Sequence, residues 1–135
     1  MLKTMEKGVM ILTFQLEKLD HVQLAIPESG EEEARNFYGK VLGFQEVEKP
    51  ETLKRRGGVW FKKEDLQLHC GVEEPFTPQK KAHPAIRIKN LAALIVHLRK
   101  KKIAFQQDTL LPGADRIYVF DPFGNRLEFL EWQNK

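Results

Sequence analysis

The chain has 135 residues, of which 41% are hydrophobic and 30% charged, and its formal net charge is +3. This length allows one domain with a buried core, and the scatter of basic residues among acidic ones argues against nucleic acid as a partner. The single cysteine, Cys70, excludes an internal disulfide and a cysteine-based zinc site, and we therefore expect a cytoplasmic protein.

Residues 1–18 are interpreted as an extension that precedes the domain. Val9–Phe14 is apolar, but this run is too short for a secretion signal, and no small-residue cleavage site follows it. It is also far shorter than the ~20 apolar residues of a membrane-spanning helix. We therefore expect no membrane partner, and we interpret the extension as an added edge strand beside a single domain at residues 19–133.

The first module is predicted over about residues 19–72. It opens with a strand at Leu19–Ile26, where apolar residues alternate with polar ones and His21 lies on the polar face. Ser29 is predicted to cap the helix that follows. Further strands are predicted at Phe44–Glu48, Val59–Phe61 and Asp65–Gly71.

The second module is predicted over about residues 82–132, and its elements repeat this order. It has a strand at Ala82–Ile88 and a helix capped by Asn90, followed by strands at Ile103–Gln106, at Arg116–Phe120 and after the turn at residues 121–125. Each helix has an apolar stripe that must be buried against a sheet. The repeat predicts an α+β fold in which two βαβββ modules form a curved mixed sheet with the helices on its outer face.

The sheet face opposite the helices is predicted to carry eight polar residues, which are His21, Gln23, Gln67, His69, His83, Arg87, Arg126 and Glu128. Imidazole nitrogen and carboxylate oxygen suit a divalent ion of Mn, Fe, Ni, Co or Zn, and the lack of a thiolate on this face favours a catalytic ion. We predict that His21, His83 and Glu128 bind this metal, and we leave open whether His69 joins them. His97, on the flank of the second helix, is predicted to be structural.

Four segments of the chain resemble one known superfamily. They are Leu-Asp-His-Val at 19–22, Ala-Arg-Asn-Phe-Tyr…Leu-Gly-Phe at 34–44, the strand that begins at His83, and Tyr-Val-Phe-Asp-Pro-Phe-Gly-Asn-Arg-Leu-Glu at 118–128. Through them the chain resembles, from about Leu19 to Trp132, the vicinal oxygen chelate superfamily. This superfamily includes glyoxalase I, fosfomycin-resistance enzymes, bleomycin-binding proteins and extradiol dioxygenases.

The resemblance implies that His21, His83 and Glu128 are metal ligands. The fourth ligand of glyoxalases is a glutamate in the last strand of the first module, where this chain has Gln67, with His69 two residues further on. The site is therefore expected to have three ligands, or four with Gln67 or His69. The resemblance also implies a homodimer in which His21 and His69 of one chain meet His83 and Glu128 of another, although a site within one chain stays open.

The chemistry implied by the resemblance is chelation of a small substrate through two adjacent oxygen atoms, with the metal as Lewis acid. We expect a metal-dependent lyase, isomerase or transferase in which Glu128 or metal-bound water moves the proton. The residues expected to line the substrate site are Trp60, Gln67, Arg87, Arg116 and Tyr118. The alternatives are a binding protein that sequesters a small, antibiotic-type molecule and a small non-haem iron dioxygenase. The departure at Gln67 argues against glyoxalase activity on a glutathione adduct.

Overall fold

The structure, a computed structural model, describes residues 2–6 and 8–133. Its strands are β1 (Leu2–Glu6), β2 (Val9–Thr13), β3 (Val22–Ile26), β4 (Gln45–Val47), β5 (Val59–Lys63), β6 (Leu66–Val72), β7 (Ala85–Arg87), β8 (Phe105–Asp108), β9 (Ala114–Phe120) and β10 (Arg126–Trp132). Its helices are α1 (Glu31–Ala34), which continues as a π-helix at Arg35–Val41, a 3-10 helix at Glu51–Arg56, and α2 (Leu91–Lys100).

Strands β3 to β10 form two four-stranded sheets with the same internal order. The first sheet has the order β3-β6-β5-β4, and the second has the order β7-β10-β9-β8. In each sheet the first and last strands of the module run parallel to each other, and the other neighbours are antiparallel. This arrangement confirms the predicted α+β fold of two βαβββ modules.

The N-terminal extension differs from the expected added edge strand. β1 and β2 pair antiparallel with each other, from Leu2↔Thr13 to Glu6↔Val9, in a separate two-stranded sheet. Gly8 lies between them with a φ of +75°, a conformation that glycine adopts without a steric penalty. The extension is therefore a hairpin, and the domain boundary near residue 18 stays a prediction.

One of the two predicted helix caps is wrong and the other is confirmed. Ser29 has a φ of +67° and makes no capping hydrogen bond, and α1 begins directly after Gly30. Gly30 N donates to Pro27 O at 3.1 Å, so a tight turn places Gly30, and not Ser29, at the N-cap position of α1. Asn90 caps α2, and its Oδ1 accepts from Ala93 N at 3.1 Å.

Two strands begin later than predicted, and this affects the candidate ligands. β3 begins at Val22 and β7 begins at Ala85, so His21 and His83 precede these strands and do not belong to their ladders. Both imidazoles are therefore oriented by local hydrogen bonds, as described below.

The two modules share one hydrophobic core. It combines Tyr38 and Phe61 of the first module with Leu98 and Leu127 of the second, all of them fully buried. The predicted alternation along β3 and β10 is confirmed, because their apolar faces enter this core. His97 links the modules, since its Nε2 donates to the carbonyl oxygen of Val41 at 2.8 Å.

The turn at residues 121–125 joins the modules through hydrogen bonds of two buried side chains. Tyr38 Oη donates to Asp121 Oδ2 at 2.7 Å, and Asn125 Nδ2 donates to the carbonyl oxygen of Ala25 at 2.8 Å. Asp121 and Asn125 are both buried. This turn therefore fixes the start of β10 against the first module.

Candidate functional site

His83 and Glu128 form a direct pair in the second module. His83 Nε2 lies 2.9 Å from Glu128 Oε1, and Glu128 is only 4% exposed. Glu128 projects from β10 on the face opposite Leu127 and Phe129, because side chains alternate along a strand. The carboxylate is therefore held inside the protein and is not a solvated surface group.

The other ring nitrogen of His83 decides which protons this pair carries. His83 Nδ1 lies 2.8 Å from the carbonyl oxygen of Lys81. A carbonyl oxygen only accepts, so Nδ1 carries the proton, and the neutral ring has its lone pair on Nε2. Two acceptors, Nε2 and the Glu128 carboxylate, then face each other at 2.9 Å. Such a contact is favourable only with a proton or a cation between them.

The second oxygen of Glu128 is bound by an arginine. Arg116 Nη1 donates to Glu128 Oε2 at 3.3 Å, and Arg116 Nη2 lies 3.3 Å from Asp108 Oδ1. The strand register explains this contact, because Arg116 on β9 pairs with Leu130, which is two residues from Glu128 on β10. Arg116 thus neutralises and orients the carboxylate from the side opposite His83.

His21 is oriented in the same way as His83. Its Nδ1 lies 3.0 Å from Asp20 Oδ1. An ionised carboxylate only accepts, so Nδ1–H donates and the lone pair of the neutral ring is on Nε2. The hydrogen bond from His21 lowers the pKa of Asp20, which keeps that carboxyl ionised. Histidines that bind metals through one ring nitrogen almost always donate a hydrogen bond from the other, as His21 and His83 do.

His69 lies inside a stack of three rings. Its ring is 4.1 Å from that of His21 and 3.9 Å from that of Trp60, measured between centroids, with interplanar angles of 17° and 5°. Burial lowers the pKa of His69, and the neighbouring His21 adds to this effect. Its Nε2 is buried and has no hydrogen-bond partner in the described part of the chain. The lone pairs of parallel rings do not converge, so His21 and His69 do not point at one common ion.

A cleft of about 530 Å³ lies between the two modules. His21 and Gln67 line it from the first module, and His83 lines it from the second. His69 and Glu128, each 4% exposed, do not line this cleft. Of the two residues considered in the sequence analysis as a fourth ligand, only Gln67 lines the cleft.

His21, His83 and Glu128 are chemically suited to a divalent metal, but His21 belongs to the first module and the other two belong to the second. Two ligand atoms at about 2.1 Å from one ion and about 90–109° apart are separated by about 3.0–3.4 Å, close to the His83–Glu128 distance. Within residues 2–6 and 8–133, however, no group of three His, Cys, Asp or Glu side chains is close enough to hold an ion. His21 therefore faces the same cleft as His83 without converging on the His83–Glu128 pair.

The residues predicted to contact substrate are found in different places. Trp60 contacts His69, and Arg116 and Tyr118 surround the His83–Glu128 pair, with the Tyr118 ring 5.6 Å from that of His83. Arg87 is exposed and lines a separate groove with Lys89 and Trp132. The structure thus separates Arg87 from the other candidates.

Sequence reasoning gave no role to two residues, Asp20 and Arg126. Asp20 immediately precedes His21, and a carboxylate beside a candidate ligand was the available signal. Arg126 lies two residues before Glu128, on the same face of β10 by alternation, and its Cζ is 3.8 Å from the centroid of the Tyr118 ring.

Among the described residues, no helix combines the length and apolar character that crossing a membrane requires.

Two curated proteins resemble this chain in sequence. Glyoxylase I 4 of Arabidopsis thaliana is 27% identical over 124 residues, which are 84% of this chain and 70% of that protein. The mitochondrial methylmalonyl-CoA epimerase of Mus musculus is 32% identical over 113 residues, which are 75% of this chain and 62% of that protein. The chain thus spans less than two thirds of the length of the epimerase.

Solved structures share the fold. A glyoxalase family protein from Bacillus anthracis has 45% sequence identity and a TM-score of 0.87, and the match covers 90% of this chain and 99% of that one. An antibiotic-binding protein from Streptomyces sp. CB03234 has 20% identity and a TM-score of 0.67 over 87% of this chain and 99% of that one, so its likeness concerns the fold alone. The sequence profile of the glyoxalase/bleomycin resistance protein/dioxygenase superfamily matches residues 18–129. The chain therefore belongs to this superfamily.

Proposed function

We propose that this protein is a metal-dependent enzyme of the glyoxalase-like type, a lyase, isomerase or transferase that chelates a small substrate through two adjacent oxygen atoms. The observation that carries the proposal is the hydrogen bonding of two imidazole rings. His21 and His83 line one cleft, and each donates its Nδ1–H to a fixed acceptor. The lone pair of each neutral ring is therefore on Nε2, which in His83 faces Glu128 Oε1 at 2.9 Å. This is the arrangement expected of metal-binding histidines.

The proposed ligands are His21, His83 and Glu128, with Gln67 favoured over His69 as a fourth. A divalent ion bound there supplies Lewis-acid polarisation of a substrate carbonyl, which makes a proton on the neighbouring carbon easier to remove. The ion is one of Mn, Fe, Ni, Co or Zn, since nitrogen and oxygen ligands suit all of them.

The side chains around the ligands have separate tasks in this proposal. Glu128 is assigned the transfer of the proton, because it is the carboxylate that adjoins His83 at this site. Arg116 holds the carboxylate in one orientation through Oε2. Asp20 and the Lys81 carbonyl hold the two imidazole rings in the productive tautomer. The relatives named as glyoxalase I and methylmalonyl-CoA epimerase support lyase or isomerase chemistry for this site.

Metal content tests the proposal. Protein purified without chelator, then saturated with each candidate ion and desalted, is analysed by mass spectrometry for bound metal. We expect about one ion per chain in the wild type and a loss of most of it in His21→Ala and Glu128→Ala, since each removes one donor. His97→Gln is the matched control, because His97 only donates to a backbone carbonyl. Equal metal content in the wild type and both site variants would refute the proposal.

The proposal includes the expected homodimer, because the donors are divided two and two between the modules. A subunit-mixing experiment separates the two ways of forming the site. If ligands come from two chains, unfolding and refolding a mixture of His21→Ala and Glu128→Ala restores one intact site per heterodimer. If the ligands come from one chain, the mixture binds no more metal than the separate variants.

A second candidate is a binding protein that sequesters a small molecule without chemistry. Glu128 favours it, because His83 and Arg116 already occupy both carboxylate oxygens. This alternative predicts a wild type that binds no metal specifically and gains no thermal stability from any of the five ions, whereas a specific ion stabilises the folded state by mass action. The small non-haem iron dioxygenase remains a third candidate, and it predicts that only Fe(II) supports turnover.

A further inference from the structure

Two guanidinium groups lie against the ring of Tyr118 in the second module. Arg126 Cζ is 3.8 Å from the ring centroid, and Arg116 Cζ is 5.3 Å from it. Tyr118 is the direct cross-strand partner of Glu128, and its ring is 5.6 Å from that of His83. Both arginines therefore adjoin the His83–Glu128 pair.

The two arginines differ in their counter-charges. Arg116 is balanced by two carboxylates, since its Nη1 donates to Glu128 and its Nη2 lies 3.3 Å from Asp108 Oδ1. Arg126 forms no ion pair with any carboxylate of the described residues, and its Nη1 donates to the backbone carbonyl of Lys80 at 3.2 Å. Arg126 thus brings a positive charge beside the candidate site with which no carboxylate of the described residues pairs directly. The backbone N–H of Leu110, followed by the charges of Arg116 and Arg126, lowers the pKa of Asp108.

The unused hydrogen-bonding capacity of Arg126 lies on one edge of its guanidinium. Nη1 is bound to the Lys80 carbonyl, and the Nε–H is buried without an acceptor in the described part of the chain. The remaining edge is formed by Nε and Nη2, whose parallel N–H groups match the two oxygens of a carboxylate or phosphate. Because Nε is buried, a bound oxygen there would supply the acceptor that this N–H lacks. The face of the group rests on Tyr118, and this contact fixes the direction of that edge.

We propose that Arg126 binds an anionic oxygen group of the substrate, a carboxylate or a phosphate, while the reacting end of the molecule lies at His83 and Glu128. This inference rests on the proposed function, and it adds that the substrate is an acid. The charges around the site explain why Arg126 is needed. Without it, an incoming anion would meet the carboxylates of Glu128 and Asp108 with only Arg116 to balance them.

Calorimetric titration in a phosphate-free buffer tests the inference with three probes: malonate, inorganic phosphate and the neutral dimethyl malonate. We expect the wild type to bind malonate or phosphate, and the stronger of the two identifies the anionic group. Dimethyl malonate should not bind. In Arg126→Gln the dissociation constant should rise at least about tenfold, because a charge-assisted bidentate contact is lost.

Two further variants control this result. Arg126→Lys keeps the charge but loses the two-pronged geometry, so it should recover part of the affinity. Arg99→Gln is the matched control, because Arg99 also stacks on an aromatic ring, that of Phe105 at 5.4 Å, but belongs to α2. It should bind anions as the wild type does. A thermal melt of each variant verifies that it is folded.

The metal content of the same samples separates this inference from the proposed function. Weaker anion binding with unchanged metal content in Arg126→Gln supports the inference. Arg126-dependent anion binding by a wild type that holds no metal supports it as well, although the proposed function then fails. Equal anion affinity in the wild type and Arg126→Gln overturns the inference, and so does a wild type that binds neither malonate nor phosphate.

Discussion

The buried hydroxyl of Tyr38 offers a sharp test of how the two modules are joined. Tyr38→Phe removes one hydrogen bond, the 2.7 Å donation to Asp121 Oδ2, and keeps the ring that packs 4.9 Å from Phe37 and 5.8 Å from Phe61. Asp121 still accepts three hydrogen bonds, from Phe123 N, Asn125 N and Asn125 Nδ2. The carboxylate is therefore not left unsatisfied, and the loss measures the Tyr38 contact itself.

The expected cost follows from the nature of the acceptor. A hydrogen bond to a charged group contributes about 1.5–3 kcal/mol to the free energy of unfolding, and this bond is fully buried. For a chain of this length, a loss of about 2 kcal/mol corresponds to a melting temperature lower by about 5–10 °C. Chemical denaturation in urea should give the same free-energy difference with an unchanged m-value.

The pH dependence gives an independent check on Tyr38. Burial, followed by the negative charge of Asp121, raises the pKa of Tyr38 well above its usual value. The unfolded chain loses this proton near pH 10 while the folded protein keeps it, so the contribution to stability is present below pH 10 and decreases as the pH rises above it. The stability difference between the wild type and Tyr38→Phe should therefore shrink above about pH 10.

Tyr118→Phe is the matched control, because Tyr118 is the only other tyrosine and its ring contacts Arg126 and His83 instead of a buried carboxylate. Tyr118 is also buried, at 7% exposed, so the substitution keeps a buried ring but breaks no bond to a carboxylate, and it should cost clearly less than Tyr38→Phe. A Tyr38→Phe variant as stable as the wild type at pH 7 would refute the argument, because the link through Asp121 would then contribute nothing to stability.

Two further predictions concern the packing around Cys70. Gly58→Ala should cost at least about 3 kcal/mol by urea denaturation, because the new Cβ would lie 2.2 Å from the Cys70 carbonyl oxygen at a φ of +87°. Gly113→Ala, with a φ of +82° and its nearest neighbour 3.9 Å away, should cost only the backbone strain of about 1–2 kcal/mol, and equal costs would contradict the steric argument. The Cys70 thiol is 1% exposed, and burial raises its pKa to about 12. It should resist Ellman's reagent at pH 8 until the protein is unfolded, whereas rapid stoichiometric labelling of the native protein would disprove its burial.

The fold could be predicted from the sequence wherever one local pattern was sufficient. Alternation along β3 and β10 predicted which faces enter the core, and Asn90 before an apolar helical stripe predicted a cap. The Ser29 prediction was wrong because the outcome depended on the turn from Pro27 to Gly30, which competes with capping. A capping motif thus predicts a helix start less well where the same residues can also form a tight turn.

The site was predictable in its residue types but not in its contacts. Alternation alone put Glu128 on the face opposite the core. Its burial depends on Arg116, twelve positions earlier in the sequence, and so on the register between β9 and β10. That register depends on the geometry of the turn at residues 121–125 as well as on the alternation along each strand. The same holds for His69, whose neighbours in the stack, His21 and Trp60, come from different parts of the first module.

The candidate site has two half-sites, one around His21 in the first module and one around His83 in the second. Each is organised by residues close in sequence. Asp20 precedes His21 by one position, and Lys81 precedes His83 by two, and these neighbours set the protonated nitrogen of each ring. Each imidazole can therefore hold its tautomer as soon as its own module has folded. Bringing the half-sites together depends instead on how the modules, or two chains, are packed. The subunit-mixing experiment tests how the half-sites come together, whereas the metal content tests whether the complete site binds an ion. If the rings are already oriented, an ion that binds need not reorient them, which favours its affinity. Assembly of the modules or chains then only has to bring the two half-sites together.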